Sequence, residues 1–331
     1  MTTFDCPGTP PDASLQVLLT PDDLRAALES DARTGLTTTP KWLPPKYFYD
    51  DRGSRLFDEI TRLAEYYPTR TEHAILTTYA DAIAAAADAE VLLELGSGSS
   101  EKTRLLLDAM ARRRTLAAYV PVDVSAGALR EAMGGLRADY PDLPLQGAVA
   151  DFDRHLGDLP APGRRLWALL GGTIGNYPPA QRRRFLTELA HAIRPGESLL
   201  LGIDLVKDPD RLVAAYDDAA GITAAFNRNV IAVLNRELDG DLDPDDFSHV
   251  ARWDPDNEWI EMRLRARRPV SARLAALDLP VAFDRDEEIR TEISAKFRRD
   301  RIVPELAAVG LVVEQWWSDP AGDFALLLAR R

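Results

Sequence analysis

Cysteine is nearly absent. The single one in 331 residues, Cys6, lies in a Pro/Thr/Asp-rich opening stretch, which excludes a disulfide framework and a thiolate-held metal. Histidine is scarce too. His73, His155, His191 and His249 are scattered without metal-ligand spacing and read as ordinary surface or helix residues, so no metal is expected. No apolar run approaches the roughly 18 residues of a membrane-crossing helix, and no signal peptide opens the chain, so a cytoplasmic, reducing location is expected. Positive charge is in deficit: 40 Lys and Arg against 53 Asp and Glu leave a net charge of −13, which argues against binding nucleic-acid phosphates and favours solubility. No nucleic-acid or membrane partner is expected, and the chain is read as a monomer. What remains, 46% hydrophobic and 28% charged, is ordinary for a soluble enzyme.

Residues 1–20, rich in proline and small polar side chains, read as a disordered leader. A helix is predicted after Thr20, with Pro21, Asp22 and Asp23 in its first turn and Leu24 and Leu28 on its apolar face. The stretch Thr37–Tyr49 is punctuated by Pro40, Pro44 and Pro45, carries four aromatic residues, and is predicted to lack regular structure. Residues 21–70 therefore form an arm, either strapped onto the core or packed as a loop over a pocket and against a substrate subdomain. Strands then alternate with helices: Val91–Leu95, Ala118–Asp123, Leu145–Val149, Leu166–Leu170 and Ser198–Asp204, with a helix at Pro179–Ile193 among the intervening segments. This predicts a parallel sheet buried on both faces, formed by residues 71–206 and 297–331. Between those halves, residues 207–296 break the pattern. Helical stretches at Asp210–Ala220 and Thr223–Leu238 precede Phe247–Asp254, Trp259–Arg267 and Leu274–Leu279, which alternate like antiparallel strands, an inserted α+β subdomain. A helix at Pro304–Val309 and strands at Val312–Trp317 and Phe324–Arg330 complete the sheet.

The most informative stretch is Val91–Ser100, an apolar strand running into Gly96-Ser97-Gly98 and then a helix. The glycines allow a tight turn and close approach to a nucleotide-like ligand. Ser99 stands where a dinucleotide fingerprint approaches its third glycine, which disfavours a pyrophosphate and favours an adenosine without phosphates. Glu94 at the strand's end would repel a pyrophosphate but suit a cation. S-adenosylmethionine, a sulfonium, meets both conditions. In an open α/β sheet the ligand lies beyond the carboxyl ends of the strands. Asp123, which could otherwise be a surface acid, ends the second strand and suits both ribose hydroxyls. After the third strand, Asp151 suits an adenine amino group and Phe152 its ring face. The fourth runs into Gly171–Pro178, where glycines permit close approach and Asn176 offers a donor and an acceptor. Methyl transfer to an amine depends chiefly on alignment and desolvation, so no catalytic side chain is assigned.

Longer strings carry a family resemblance. Pro45–Asp50, Gly53–Thr61 and Glu65–Arg70, with Glu94–Gly98, Gly171–Asn176, Asp204–Asp208, Ala215–Asp218, Thr223–Asn229, Glu292–Phe297 and Trp316–Asp319, resemble the bacterial and fungal amino-acid N-methyltransferase family. The resemblance covers nearly everything from about residue 30 onward. It implies a class I, Rossmann-like methyltransferase sheet with an inserted α+β substrate-binding subdomain, and S-adenosylmethionine bound by Tyr49, Gly96, Lys102, Asp123, Asp151 and Phe152. Lys102 would otherwise read as a helix-surface charge. The resemblance further implies that Tyr49 and Phe57 border the reacting amine, and that Tyr66, Asn176 and Tyr216 contact the amino acid, the last two through its carboxylate. Glu292 and Ser294 would hydrogen-bond an imidazole and Met262 would pack beside it; Tyr216 and Met262 read otherwise as core. The implied activity is threefold Nα-methylation of L-histidine to hercynine, the first step of ergothioneine biosynthesis. The same fold acting on tryptophan or tyrosine, or binding a metabolite without catalysis, stays open here.

Overall fold

The computed structural model describes residues 14–160 and 163–331. The expected helix runs over Pro21–Thr37. Its start is set by a capping box, in which the Thr20 hydroxyl accepts from the Asp23 N–H and the Asp23 carboxylate accepts from the Thr20 N–H, both at 3.1 Å. Upstream, the expectation of a disordered leader fails for its last residues. Ser14–Val17 forms a strand, β1, because the backbone edge of the sheet is open there and Leu15 reaches the apolar core beneath it. Residues 1–13 of that leader lie outside the described residues. Thr37–Tyr49, expected to be irregular, contains the two-residue strand β2 (Lys41–Trp42) and a 3-10 turn over Pro45–Phe48, followed by a helix over Asp51–Ile60.

The alternating segment supplies β3 (Val91–Leu95), β4 (Ala118–Asp123), β5 (Gln146–Val149), β6 (Arg165–Leu169) and β7 (Ser198–Asp204). The insertion supplies β8 (Phe247–Asp254), β9 (Trp259–Ala266), β10 (Val270–Leu274), β11 (Leu279–Phe283) and β12 (Glu288–Ala295). The chain closes on β13 (Val312–Ser318) and β14 (Phe324–Arg330). The main sheet has the order β1-β5-β4-β3-β6-β7-β14-β13, parallel except that β14 runs antiparallel to both neighbours. It is the class I arrangement, doubly wound with a closing antiparallel strand, and the chain order reverses between β3 and β6. Alternate residues feed two cores. Val91, Leu93 and Leu95 face the helix over Pro179–Ala192, and Leu92 faces the helices over Tyr67–Ala87 and Arg104–Arg112.

A third core belongs to the insertion and the N-terminal arm together. Leu28, Leu36, Phe48 and Ile60 of the arm pack with Leu212, Phe226, Met262 and Leu264. A four-stranded sheet, β2-β12-β9-β8, lies over that core, and β2 ties the arm to it by pairing with β12. Two sequence readings are corrected here. Leu274–Leu279, expected as one strand, is the connection of the β10–β11 hairpin: Ala275–Leu277 turns, and Asp278 closes the turn at φ +51°. The helix expected at Pro304–Val309 spans Arg299–Ala307, with Pro304 inside it rather than in its first turn; Ile302 and Leu306, buried against the sheet, set its extent. Strand β12 was not predicted at all.

The two sheets meet where β12 passes the turn Thr173–Asn176 after β6. A Cβ on Gly175 would lie 2.8 Å from the Ala295 carbonyl oxygen and 3.1 Å from its nitrogen, both backbone atoms. Only glycine permits this approach without moving one sheet from the other. Gly175→Ala is expected to lower unfolding free energy by about 1–3 kcal/mol. Urea titration checks this, and a stability equal to the parent protein's would show that the contact can relax.

Candidate active site

The carboxyl ends of the parallel strands converge as the sequence reading requires. Gly96 and Gly98 take φ of +72° and +50°. The Asp123 carboxylate holds the turn, accepting from the Gly98 N–H at 3.0 Å and the Ser125 N–H at 2.9 Å, and burial pushes its pKa up despite those bonds. The Phe152 ring lies 3.9 Å from where a Gly96 Cβ would stand. Asp151 caps the short helix Phe152–His155 and reaches Lys46 of the N-terminal arm at 3.6 Å. Lys102 pairs with the fully buried Glu72, whose carboxylate also accepts from the Gly171 N–H at 2.9 Å. In this turn the Ser97 hydroxyl is buried without a hydrogen-bond partner among the described residues. A glycine turn, an acid, an aromatic face and a spare hydroxyl fit an adenosine-bearing ligand. Glu94, at the end of β3, is buried and accepts from Thr103 and Tyr119 at 2.6 Å each; burial raises its pKa to about 7, with those hydrogen bonds and nearby Lys102 pulling it back.

A chain of edge-to-face rings leads from this cleft toward the insertion. Tyr49 meets Phe57 at 5.6 Å, Phe57 meets Tyr66 at 6.2 Å, and Tyr66 meets Tyr216 at 6.1 Å between centroids. Phe226, which the sequence reading did not single out, backs both Tyr49 and Phe57 at 5.6 and 6.0 Å. Tyr49 lies within electrostatic reach of Glu292, Tyr66, Asp123 and Tyr216, so it stands between the two ends of the site. Burial raises the pKa of Tyr49, Tyr66 and Tyr216 well above the usual value, and all three stay protonated at neutral pH. Asn176 sits half-buried at the end of the Thr173–Asn176 turn, and its amide makes no hydrogen bond among the described residues.

The floor is ionic. Lys296 donates to Ser294 Oγ at 2.8 Å, to Tyr216 OH at 3.0 Å and to Asp204 Oδ2 at 2.9 Å, while Tyr216 OH and Ser294 Oγ lie 2.7 Å apart. Asp204 also pairs with Lys207 and accepts from Tyr67 at 2.8 Å. Burial works against ionising Asp204, but the two ammonium groups override it and hold its pKa below the usual range. All three protons of Lys296 are thereby used. Of the Tyr216 and Ser294 hydroxyl protons, one serves the other oxygen and one is free for a ligand. Met262 and Glu292 sit opposite each other on β9 and β12. Glu292 has no hydrogen-bond partner among the described residues; burial raises its pKa to about 7, with Lys296 pulling it back.

The structure brings Gly96, Asp123 and Phe152 together at the strand ends, and it joins Tyr49, Phe57, Tyr66, Tyr216 and Ser294 in one run of contacts with Glu292 opposite Met262. Missed were Lys296, Asp204, Lys207, Glu72 and Phe226. The alternation Glu292-x-Ser294-x-Lys296 was the available signal for the first, since residues two apart on a strand share a face. The rest are joined only by tertiary contacts. His249, expected as an ordinary surface or helix residue, is a strand residue with a side chain 3% exposed. Among the described residues no cluster could hold a metal ion, and no helix is long and apolar enough to cross a membrane.

A family model described as "Histidine-specific methyltransferase, SAM-dependent" matches residues 28–331. The chain is 58% identical over 318 residues to a histidine N-alpha-methyltransferase of Mycolicibacterium smegmatis, an overlap of 96% of this chain and 99% of that one. It is 54% identical over 305 residues to the histidine N-alpha-methyltransferase of Mycobacterium tuberculosis, across 92% and 95% of the two chains. It is also similar to ergothioneine biosynthesis protein 1 of Schizosaccharomyces pombe, 30% identical across 78% of this chain and 34% of that protein.

A half-buried carboxylate with no partner among the described residues has a cost that pH reveals. The Glu292 pKa is raised above its unfolded value, so the folded state holds the proton longer and stability falls as pH climbs from about 4.5 toward 7. Glu292→Gln removes that penalty. The variant is expected to match the parent protein near pH 4 and to exceed it by about 1–3 kcal/mol at pH 8. Denaturant titrations at both pH values check this; an equal difference at the two would mean that ionised Glu292 is not strained.

Proposed function

The chain belongs to the histidine-specific, S-adenosylmethionine-dependent methyltransferases, and we propose that it transfers three methyl groups in succession to the α-nitrogen of L-histidine, giving hercynine for ergothioneine biosynthesis. The observation that carries the substrate is Glu292, a half-buried carboxylate with no hydrogen-bond partner among the described residues, beside the Ser294 hydroxyl and the Met262 side chain. An imidazole N–H satisfies the carboxylate, and the Ser294 hydroxyl meets the second ring nitrogen. A site of that kind rejects side chains that leave its polar groups unpaired.

Gly96, Asp123, Asp151 and Phe152 hold S-adenosylmethionine along the strand ends, with Lys102 close by under Gly171. Bound there, S-adenosylmethionine supplies an electrophilic methyl group on a sulfonium. The protein's own contribution is placement. Asn176 and Tyr216 anchor the substrate carboxylate near the Lys296 ammonium, whose charge opposes that of the carboxylate. Tyr66 closes the pocket beside Tyr216. Tyr49 presents a protonated hydroxyl between the two ends of the site and can accept a hydrogen bond from the amine; its raised pKa keeps it from acting as a phenolate base. With carboxylate and imidazole both fixed, the amine can shed a proton and turn between transfers without leaving. The final trimethylammonium cannot lose its charge, and the faces of Tyr49 and Phe57 attract it by about 0.5–2 kcal/mol.

Mass spectrometry of reactions with each amino acid is expected to show mono-, di- and trimethylated histidine, with dimethylhistidine converted to hercynine; no trimethylated product from dimethylhistidine would sink the assignment. Glu292→Ala leaves the imidazole N–H unpaired and is expected to weaken histidine use by about 1–3 kcal/mol in kcat/KM, with tryptophan gaining relative to it. Asp123→Ala is expected to weaken S-adenosylmethionine binding in calorimetry while the far-ultraviolet spectrum stays unchanged. Native affinity in that variant would move the cofactor elsewhere.

A further inference from the structure

Glu292 faces the pocket only because β12 carries one extra residue. Arg290 pairs with Arg263 across the β9–β12 ladder, but Glu292 pairs with Met262, so Thr291 has no partner on β9 and forms a bulge. Without the bulge, Thr291 would stand opposite Met262 and Glu292 opposite Glu261. Side chains two apart on a strand share a face, so Glu292 and Ser294 would then lie on the outer face with Arg290. That face is attractive to a carboxylate. Arg252, Arg263, Arg265 and Arg290 surround just Glu261 and Glu288 there. Something must hold the register that keeps Glu292 inside and unpaired.

The polar groups at the bulge are fully accounted for. Thr291 is wholly buried, and its hydroxyl lies 2.7 Å from Asn227 Oδ1 and 3.0 Å from the Met262 carbonyl, both acceptors. Asn227, also wholly buried, sends its two amide protons to the Arg263 carbonyl at 3.0 Å and to His249 Nδ1 at 2.8 Å. His249 Nε2 then donates to the Tyr216 carbonyl at 2.7 Å. Each group has one role compatible with its neighbours, so the amide orientation and the imidazole tautomer are both determined. The chain reaches β9 on both sides of the bulge, at Met262 and Arg263, and ends on the backbone of Tyr216.

We propose that Thr291 is a positioning and specificity-determining residue: through Asn227 and the Met262 carbonyl its hydroxyl locks the β12 bulge that turns Glu292 and Ser294 into the amino-acid pocket. The proposal rests on the functional reading above. Thr291 touches no substrate, and its effect passes through Glu292.

The test compares Thr291→Val, which keeps the shape and loses the hydroxyl, with Thr291→Ser, which keeps the hydroxyl. Thr291→Val is expected to raise KM for L-histidine about tenfold and to lower selectivity for L-histidine over L-tryptophan, while KM for S-adenosylmethionine stays within about twofold. Thr291→Ser is expected to restore the histidine KM even where its melting temperature is lower. In a Glu292→Ala background, Thr291→Val should add no further rise in KM. Equal changes in both KM values, a full additional loss in the Glu292→Ala background, or a folded Thr291→Val with unchanged histidine KM would each overturn the proposal. Should Thr291→Val not fold, Thr291→Ala serves as the second hydroxyl-free variant and is read by the same criteria. The parent protein is run first on all amino acids. Absence of a histidine product would overturn the functional reading, and the same variants are then compared on whichever amino acid is methylated, so the two failures are read separately.

Discussion

One buried carboxylate, Asp204, joins the two halves of the molecule. It ends β7 of the large sheet, and it is held by Lys207 just beyond that strand and by Lys296 just beyond β12. Tyr67 at the start of the long helix of the arm donates to it as well. Three separate parts of the chain thus converge on one charge. Removing any partner would strand the others in the interior, where an uncompensated charge is far more costly than an exposed one. Because Lys296 also grips Tyr216 and Ser294, the same contacts that dock the insertion set the polar floor of the cleft.

The site is correspondingly polarised. At the strand ends, where the cofactor is proposed to lie, the Asp123 carboxylate is met by backbone amides and Lys102 is matched by Glu72, so that region is largely satisfied as it stands. At the proposed substrate end, Glu292 and the Asn176 amide lack partners among the described residues, and Ser294 and Tyr216 share one proton too many for themselves. Groups left wanting are a source of specificity, since a ligand that completes them is favoured over one that does not. They are also a source of local strain, which the rigid sheets on either side must contain.

Much of this was legible in the sequence because it depends on local pattern. Short, near-continuous apolar runs separated by helical segments marked β3 to β7, and polar residues at their carboxyl ends marked the expected ligand side. The helix after Thr20 was readable from the proline and acids of its first turn and the spacing of Leu24 and Leu28. The strings around Tyr49, Phe57, Asn176 and Glu292 carried the family resemblance and, with it, the site residues proposed. Strand β12 escaped because its bulge interrupts the alternation at Thr291. The β10–β11 turn was misread because Leu274–Leu279 is apolar except for Asp278, and a short run of apolar residues alone does not distinguish a turn from a strand.

The sequence by itself determined the doubly wound sheet, the polar residues at its strand ends and the family, since each is written in short-range pattern or in contiguous motifs. Only the tertiary structure decided that Glu292 faces inward, that Lys296 and Asp204 underlie the pocket, and that His249 is buried. Those facts turn on which backbone lies opposite which: a one-residue change of register moves a side chain to the other face of a sheet, and an ion pair between residues 92 positions apart leaves no trace in local pattern.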